Sequence, residues 1–216
     1  MQKVLIADDH PLFRAALREV VETKFTDYEI LEAGTLAEAQ DCLSESEMVD
    51  VDLILLDLQM PGCSGFSGLV KLRNAAPSVP IVIVSATASN DVIREAIVYG
   101  ASGFIPKSFS KDEMARAMKR ILSGDLFLPS YASQPDETKP PMLAADAQDR
   151  LATLTPGEMR VLELLAKGQP NKIIAFELGI RESTVKAHIT AILRKLRVHS
   201  RTQAVLAAQN VDFKRL

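Results

Sequence analysis

Apolar residues recur along the first 125 positions of this chain in two alternating rhythms. Short, nearly unbroken runs stand at "VLIA" (4–7), "EIL" (29–31), "LILL" (53–56), "IVIV" (81–84) and "FI" (104–105). Such runs suit parallel strands covered on both faces, where no polar side is needed. Between them the spacing shifts to that of helices. Phe13, Ala16, Leu17, Val20 and Val21 form one stripe, and Met114, Ala117, Met118, Ile121 and Leu122 another. Thr35 with Glu38, and Ser110 with Glu113, have the spacing of capping boxes that open helices. Five strand-helix alternations predict an α/β doubly wound domain on a five-stranded parallel sheet, over residues 1–125.

The pattern lapses after that. Residues 126–150 are expected to be an interdomain linker, because 129–150 ("PSYASQPDETKPPMLAADAQDR") combine prolines with small and polar residues. Its end has the composition of a short helix. From Leu151 the rhythm is helical throughout, over 151–216. "TPGE" (155–158) offers Thr155 as N-cap, Pro156 in the first turn and Glu158 as the partner that closes a capping box. The spacing predicts helices over about 155–167, 171–178, 182–197 and 201–209, with Gly168 and Gly179 as stops. Four short helices with a tight turn at "LGI" (178–180) fit a small all-α helix-turn-helix domain.

Charge divides the same way. Residues 1–128 carry 12 Lys/Arg against 19 Asp/Glu, whereas 151–216 carry 11 against 5. An acidic front and a basic tail suit a tail that meets a polyanion, although small helical domains are also basic without one. No window reaches the roughly 18 uninterrupted apolar residues that span a bilayer, so no membrane partner is expected. The start, "MQKVLIADDH", lacks the apolar core and cleavage site of a secretory signal. Cys42 and Cys63 make no metal-type spacing and read as reduced thiols of a cytosol. The histidines, His10, His188 and His199, are dispersed and predict no His/Cys metal cluster.

Chemistry gathers where the predicted strands end. Ligands of open parallel sheets bind beyond the carboxyl ends of the strands. Asp8 and Asp9 follow the first strand, Asp57 the third, Ser85 the fourth and Lys107 the fifth. A lone Asp after a strand is usually a turn or a cap, and a lone Lys is usually solvated. Five such groups at one sheet edge are harder to explain that way. Carboxylates in one place need a cation, and hard oxygen donors with room for water suit Mg²⁺. A carboxylate can also attack phosphorus, with a hydroxyl and a lysine left to hold the phosphoryl oxygens.

"LIADDHP", "LILLDLQMPG", "VSA" and "GFIPK", in that order, resemble the receiver domain of two-component response regulators, which has a flavodoxin-like fold. The resemblance implies that a sensor histidine kinase phosphorylates Asp57. It implies that Asp9 binds Mg²⁺ directly, with Asp8 often acting through water, Asp57 in the shell and the backbone carbonyl of Gln59 as a further ligand. Ser85 and Lys107 would contact the phosphoryl group. Phe104 falls at the aromatic switch position, where many receivers have Tyr, so a Ser85–Phe104 couple would act through ring rotation and packing. The receiver would assist its own phosphoryl transfer and dephosphorylation, with Gln59 and Thr87 influencing the lifetime of the acyl phosphate.

In the basic tail, "ESTVKAHITAILRKLR" (182–197) places Val185, Ile189, Ile192, Leu193 and Leu196 on one apolar stripe. The opposite face mixes bases, hydroxyls and two alanines, as a solvated helix or a groove-reading helix would. Residues 154–205 resemble the LuxR-type helix-turn-helix. That implies double-stranded DNA as partner, with Lys186 and Ala187 in the major groove and Thr190 one turn on. Thr184, Lys172, Arg194 and Lys195 would touch phosphates. Receiver plus this domain resembles the NarL/FixJ class. The class implies homodimers when phosphorylated or on DNA, the last helix as an interface, RNA polymerase as a further candidate partner, and the bacterial cytoplasm. Three positions depart from the family pattern. Gly157 stands where Arg is common, Ile173 where Glu is common, and Arg181 where a Ser/Thr N-cap is usual, a loss of about 1 kcal/mol partly offset by Glu182.

Two other readings remain open on sequence grounds. A haloacid-dehalogenase-type phosphatase also uses a strand-end Asp, Mg²⁺, a hydroxyl and a lysine, but wants an acid where Gln59 stands. An adaptor binding protein through the helical domain would lack salt-sensitive DNA binding.

Overall fold

The computed structural model describes residues 2–44, 51–133, 150–151 and 153–208. Five parallel strands, β1 (Gln2–Ala7), β2 (Tyr28–Ala33), β3 (Val51–Leu56), β4 (Ile81–Ser85) and β5 (Gly103–Pro106), lie in the order β2-β1-β3-β4-β5. Helices α1 (Pro11–Lys24), α2 (Leu36–Ser44), α3 (Ser67–Ala75), α4 (Asn90–Val98) and α5 (Lys111–Leu122) connect or follow them. Side chains of a strand alternate between faces, so each apolar run feeds two cores. Leu5, Ile54, Leu56, Ile83 and Phe104 pack with residues of α2, α3 and α4. Ile6, Leu53, Leu55, Val84 and Ile105 pack with Leu17 and Val21 of α1 and Met118 and Ile121 of α5. The two-sided burial anchors β3 and fixes where Asp57 emerges.

The expected caps form, with one shift. Ser110 accepts from the Glu113 amide at 3.4 Å while the Glu113 carboxylate accepts from the Ser110 amide at 2.8 Å. Thr35 accepts from the Glu38 amide at 3.2 Å, but the Glu38 carboxylate takes the amide of Gly34, one residue earlier, at 2.7 Å.

The first part of the expected linker is held on the α/β unit. Phe104 donates its amide to the carbonyl of Phe127 at 2.9 Å, and Leu128 and Ala132 pack against the α2–α4 core. The reason is that β5 is an edge strand, whose open hydrogen-bonding side is covered by the returning chain. Residues 134–149 of that linker, and residue 209 of the last expected helix, lie outside the described residues.

The second unit contains α6 (Pro156–Ala166), α7 (Asn171–Leu178), α8 (Glu182–Leu196) and α9 (Arg201–Ala208). Leu162, Leu165, Ile174, Val185, Ile189 and Ile192 form its core, joined by Leu151. The capping box of Thr155 and Glu158 opens α6. Gly179 adopts φ 65°, the left-handed turn that stops α7 and starts α8. Arg181 gives α8 no side-chain cap. Helix α9 has one, set by residues on either side of its start. The Ser200 hydroxyl accepts from the Gln203 amide at 3.2 Å, and Gln203 accepts from the His199 amide at 2.7 Å.

The two units touch at the end of the sheet opposite the strand-end carboxylates. Lys186 Nζ of α8 lies 3.5 Å from Asp52 Oδ1 and donates to the carbonyl of Val51 at 3.5 Å. Gln203 donates to the carbonyl of Ile97 at 3.2 Å. Gly100, at φ +95°, brings the backbone so near that a Cβ there would lie 3.0 Å from the carbonyl oxygen of His199. A cavity of about 340 Å³ remains between the units, lined by Tyr28 and Asp52 on one side and Ile173 and Glu182 on the other. Ile173 lines this cavity while remaining exposed.

Candidate phosphoacceptor site and nucleic-acid interface

The ladders of the sheet continue one residue past the strands and place the site. Asp8 donates its amide to Ala33 at 3.0 Å, Asp57 to Ala7 at 2.8 Å and Lys107 to Ser85 at 2.8 Å. Asp8 and Asp57 are 1 % and 2 % exposed, a cost that only cationic partners offset. Lys107 supplies one, with Nζ 2.7 Å from Asp57 Oδ2 and 2.8 Å from Asp8 Oδ2. Burial alone pulls the Lys107 ammonium down, but hydrogen bonds and charge from Asp57 and Asp8 outweigh it and hold it above its ordinary value. It also sits 4.7 Å from the ring centroid of Phe13, a neighbour that no motif announced.

Asp9 completes the acidic group, and His10 joins it. His10 Nδ1 is 2.8 Å from Asp9 Oδ1, 3.3 Å from Asp8 Oδ1 and 3.8 Å from Asp57 Oδ2. The expectation that no metal cluster forms concerned a His/Cys cluster; the group formed here is of carboxylates with one histidine. His10 is dispersed from the other histidines, yet the turn after β1 brings it onto the carboxylates. Asp8 Oδ2 and Asp9 Oδ1 are buried, and the nitrogens beside them are Lys107 Nζ and His10 Nδ1, each at 2.8 Å. One ligand atom from each of Asp8, Asp9, His10 and Asp57 lies within 4.8 Å of all the others. This oxygen-rich donor set fits a divalent cation.

A cleft of about 430 Å³ opens above it, lined by Asp57, Gln59, Ala86 and Lys107 with His10, Leu12 and Phe13. Gln59 donates its amide to Asp57 Oδ1 at 3.3 Å. Ser85 is buried at the end of β4, and its hydroxyl accepts from the Thr87 amide at 3.2 Å. Phe104 is fully buried, its ring in the α2–α4 core.

On the second unit, Lys172, Thr184, Ala187, Thr190 and Arg194 are exposed. Two of the expected DNA-facing lysines are engaged within the structure. Lys186 is 12 % exposed and lies against Asp52. Lys195 pairs with Glu158 Oε2 at 2.7 Å and donates to the carbonyl of Thr153 at 3.1 Å. Burial tends to raise the Glu158 carboxyl, but hydrogen bonds from Lys195 and Thr155 hold it below its ordinary value. Gly157 leaves room beside the His188 ring, 3.6 Å from where its Cβ would be.

A strand-end aspartate beside a lysine at the switch point of a 2-1-3-4-5 sheet, followed by a four-helix unit with a central helix-turn-helix, defines a two-part regulator. Residues 4–119 match the response regulator receiver domain, and residues 152–208 match the bacterial regulatory proteins of the luxR family. The chain belongs to the response regulators that join these two domains. It is 46 % identical to the glycerol metabolism activator of Pseudomonas putida, across 99 % of this chain and 97 % of that one. It is 33 % identical to the nitrate/nitrite response regulator protein NarL of Escherichia coli K12, across 94 % and 93 %. Among solved structures, a LuxR family DNA-binding response regulator from Silicibacter pomeroyi matches with a TM-score of 0.54 at 36 % identity, covering 61 % of this chain and 99 % of that one. Family membership over both halves supersedes the phosphatase reading. No helix among the described residues is long and apolar enough to cross a membrane.

Proposed function

We propose that Asp57 accepts a phosphoryl group from a phosphohistidine of a sensor kinase, and that this frees α8 for double-stranded DNA in the bacterial cytoplasm. One observation carries the reading: β3 has an aspartate–lysine pair at each end. Asp57 meets Lys107 at 2.7 Å beyond its carboxyl end, and Asp52 meets Lys186 of α8 at 3.5 Å near its start.

In the transfer, an Asp57 carboxylate oxygen attacks phosphorus, the phosphorus–nitrogen bond breaks, and its electron pair returns to the kinase imidazole. Lys107 leaves its pairing with Asp8 and Asp57 to hold a phosphoryl oxygen. Ser85 donates its hydroxyl to another. Mg²⁺, held by Asp8, Asp9, Asp57 and the Gln59 carbonyl, would supply positive charge to the transferring group. Gln59 at the cleft and Thr87 beside Ser85 govern the approach of water, and so the lifetime of the acyl phosphate and the receiver's own dephosphorylation. Drawing Ser85 and Thr87 toward the phosphoryl group moves the segment that leads into α4. Rotation and repacking of Phe104 follow from the same movement.

Without phosphorylation, Lys186 is turned to the receiver and cannot enter a groove. Movement of α4 reaches the contacts of Ile97 and Gly100 with Gln203 and His199, which shifts the population toward the separated state. Separated, α8 offers Lys186, Ala187 and Thr190 to base edges, and Lys172, Thr184 and Arg194 to phosphates. Lys195 joins them by exchanging Glu158 for a phosphate. Phosphorylated chains pair through α4, β5 and α5, and through α9 on DNA. RNA polymerase is the further partner of the bound dimer. The test is Asp57→Asn. Acetyl phosphate or a cognate kinase should label the wild-type chain and leave the variant unlabelled, and phosphorylation should raise DNA affinity only in the wild type. Labelling of the variant would sink the site assignment.

A further inference from the structure

Arg201, the first residue of α9, lines the cavity between the two domains. The residue is partly exposed, but its Nε is buried and has no acceptor among the described residues. Nη1 donates to Asn171 Oδ1 at 3.2 Å and Nη2 to the carbonyl of Gln169. Those bonds leave donors over, Nε–H among them. Burial, with no carboxylate to oppose it, pushes the guanidinium down to about 10, so it is charged at neutral pH.

We propose that this cavity binds a phosphate group, free or as a small monoester, through Arg201 and Lys172 of one domain and Lys119 of the other, and that the ligand holds the domains in their packed form. The binding rests on the cavity itself. Its effect on DNA rests on the proposed function, in which packing withholds α8.

Charge supports an anion. Lys119 of α5 and Lys172 of α7 line the same cavity, and neither pairs with a carboxylate among the described residues. Two carboxylates also line it, Asp52 and Glu182, but they gather near Tyr28. Burial, and then their charges, push the Tyr28 phenol up to about 12. Asp52 already faces Lys186, and neither carboxylate shifts Arg201. The basic end is therefore left for a ligand to neutralise. A carboxylate offers two oxygens in one plane, enough for one guanidinium fork. A phosphate dianion offers more oxygens and more charge, which suits donors arriving from two domains. A cavity of about 340 Å³ admits it, and Phe25 and Leu122 give a short organic stem an apolar wall.

The site is whole only while the domains are packed. Gly124, at φ +91°, brings the turn after α5 against the guanidinium, where a Cβ would lie 2.9 Å from Nη2 of Arg201. Separation takes Lys119 away from Arg201 and Lys172. A ligand that needs all three favours the packed form, and reciprocally the packed form favours the ligand. Its action on DNA binding is thus opposite in sign to that of phosphorylation.

The full-length, unphosphorylated chain should be titrated with inorganic phosphate and with ethyl phosphate at fixed ionic strength. EDTA removes the metal through which either could enter the Asp57 cleft. Proton–nitrogen spectra follow the Arg201 Nε–H signal, identified by its loss in Arg201→Gln. The expected result is a saturable shift, with affinity about tenfold weaker in Lys119→Gln. Lys119 is exposed on α5, so this variant spares both cores, and an unchanged melting temperature would show it folded. No saturable shift in the wild type, or equal affinity in Lys119→Gln, overturns the site. Tighter binding of ethyl phosphate identifies an organic monoester, and binding no tighter identifies the free ion; either upholds the site. At about ten times its half-saturating concentration the ligand should weaken DNA binding about tenfold in the wild type and about twofold in Lys119→Gln. Saturable, Lys119-dependent binding with unchanged DNA affinity upholds the site and overturns the packed form as the one that excludes DNA.

Discussion

The two ends of β3 make an instructive pair. Asp52 and Asp57 are five positions apart, about 16 Å along an extended strand. Each lies beside a lysine from elsewhere in the chain. Asp57 is fully buried among apolar runs, and its lysine comes from the next strand but one, so the pair is fixed by the sheet itself. Asp52 is 10 % exposed and its lysine comes from a different domain, so the pair persists only while the domains are packed. The same two residue types thus make a rigid chemical site at one end and a breakable contact at the other. What differs is the number of covalent and packing constraints that hold the partner.

The largest expected effect lies at the breakable end. Lys186→Ala should cost about 1–3 kcal/mol of specific DNA affinity, read by fluorescence anisotropy of the phosphorylated chain, while Asp57 labelling stays normal. Unchanged affinity would remove Lys186 from the reading face. Asp52→Lys should act in the opposite direction. By repelling Lys186 it should raise DNA binding of the unphosphorylated chain about tenfold, or roughly 1.4 kcal/mol. If binding still requires phosphorylation, the Asp52 end is a passive contact.

A smaller effect is expected within the second domain. Glu158→Gln removes a carboxylate that takes the Lys195 ammonium and caps α6, and should lower the melting free energy by about 1 kcal/mol at pH 7. The Glu158 carboxyl is held below 4.5, so its stabilisation is present above that value and disappears as pH falls further. Melting curves of wild type and variant should therefore converge in acid. The smallest effect concerns His199, which burial, and then the charge of Arg73, push below 6.5 in the packed state. The packed form binds fewer protons there, so packing should weaken as pH falls through about 6.5. Solution scattering should show slight expansion, flattened in His199→Gln.

The rigid end is legible in the sequence. Unbroken apolar runs required strands with two covered faces, and the residue after each run then had to emerge at one edge. Asp8, Asp57, Ser85 and Lys107 could be placed that way because the sheet leaves a strand-end side chain little freedom. His10 escaped this reasoning, since a loop residue points according to the turn rather than a period, and the helical stripe that held Phe13 gave no sign that its ring would meet Lys107. Signals existed for the cap of α9, where Ser200 and Gln203 have capping-box spacing. None existed for Phe127 beside β5, because one aromatic residue in a linker carries no periodicity.

The sequence by itself determined the two folds, the acidic edge and the basic helix, because periodicity and strand-end position are local properties that burial enforces. Tertiary structure alone decided that Lys186 faces Asp52, that Lys195 faces Glu158, and that His10 closes on the carboxylates. Those pairings depend on how separate elements are oriented in space, and a lone charged side chain bears no mark of the partner that packing will bring to it.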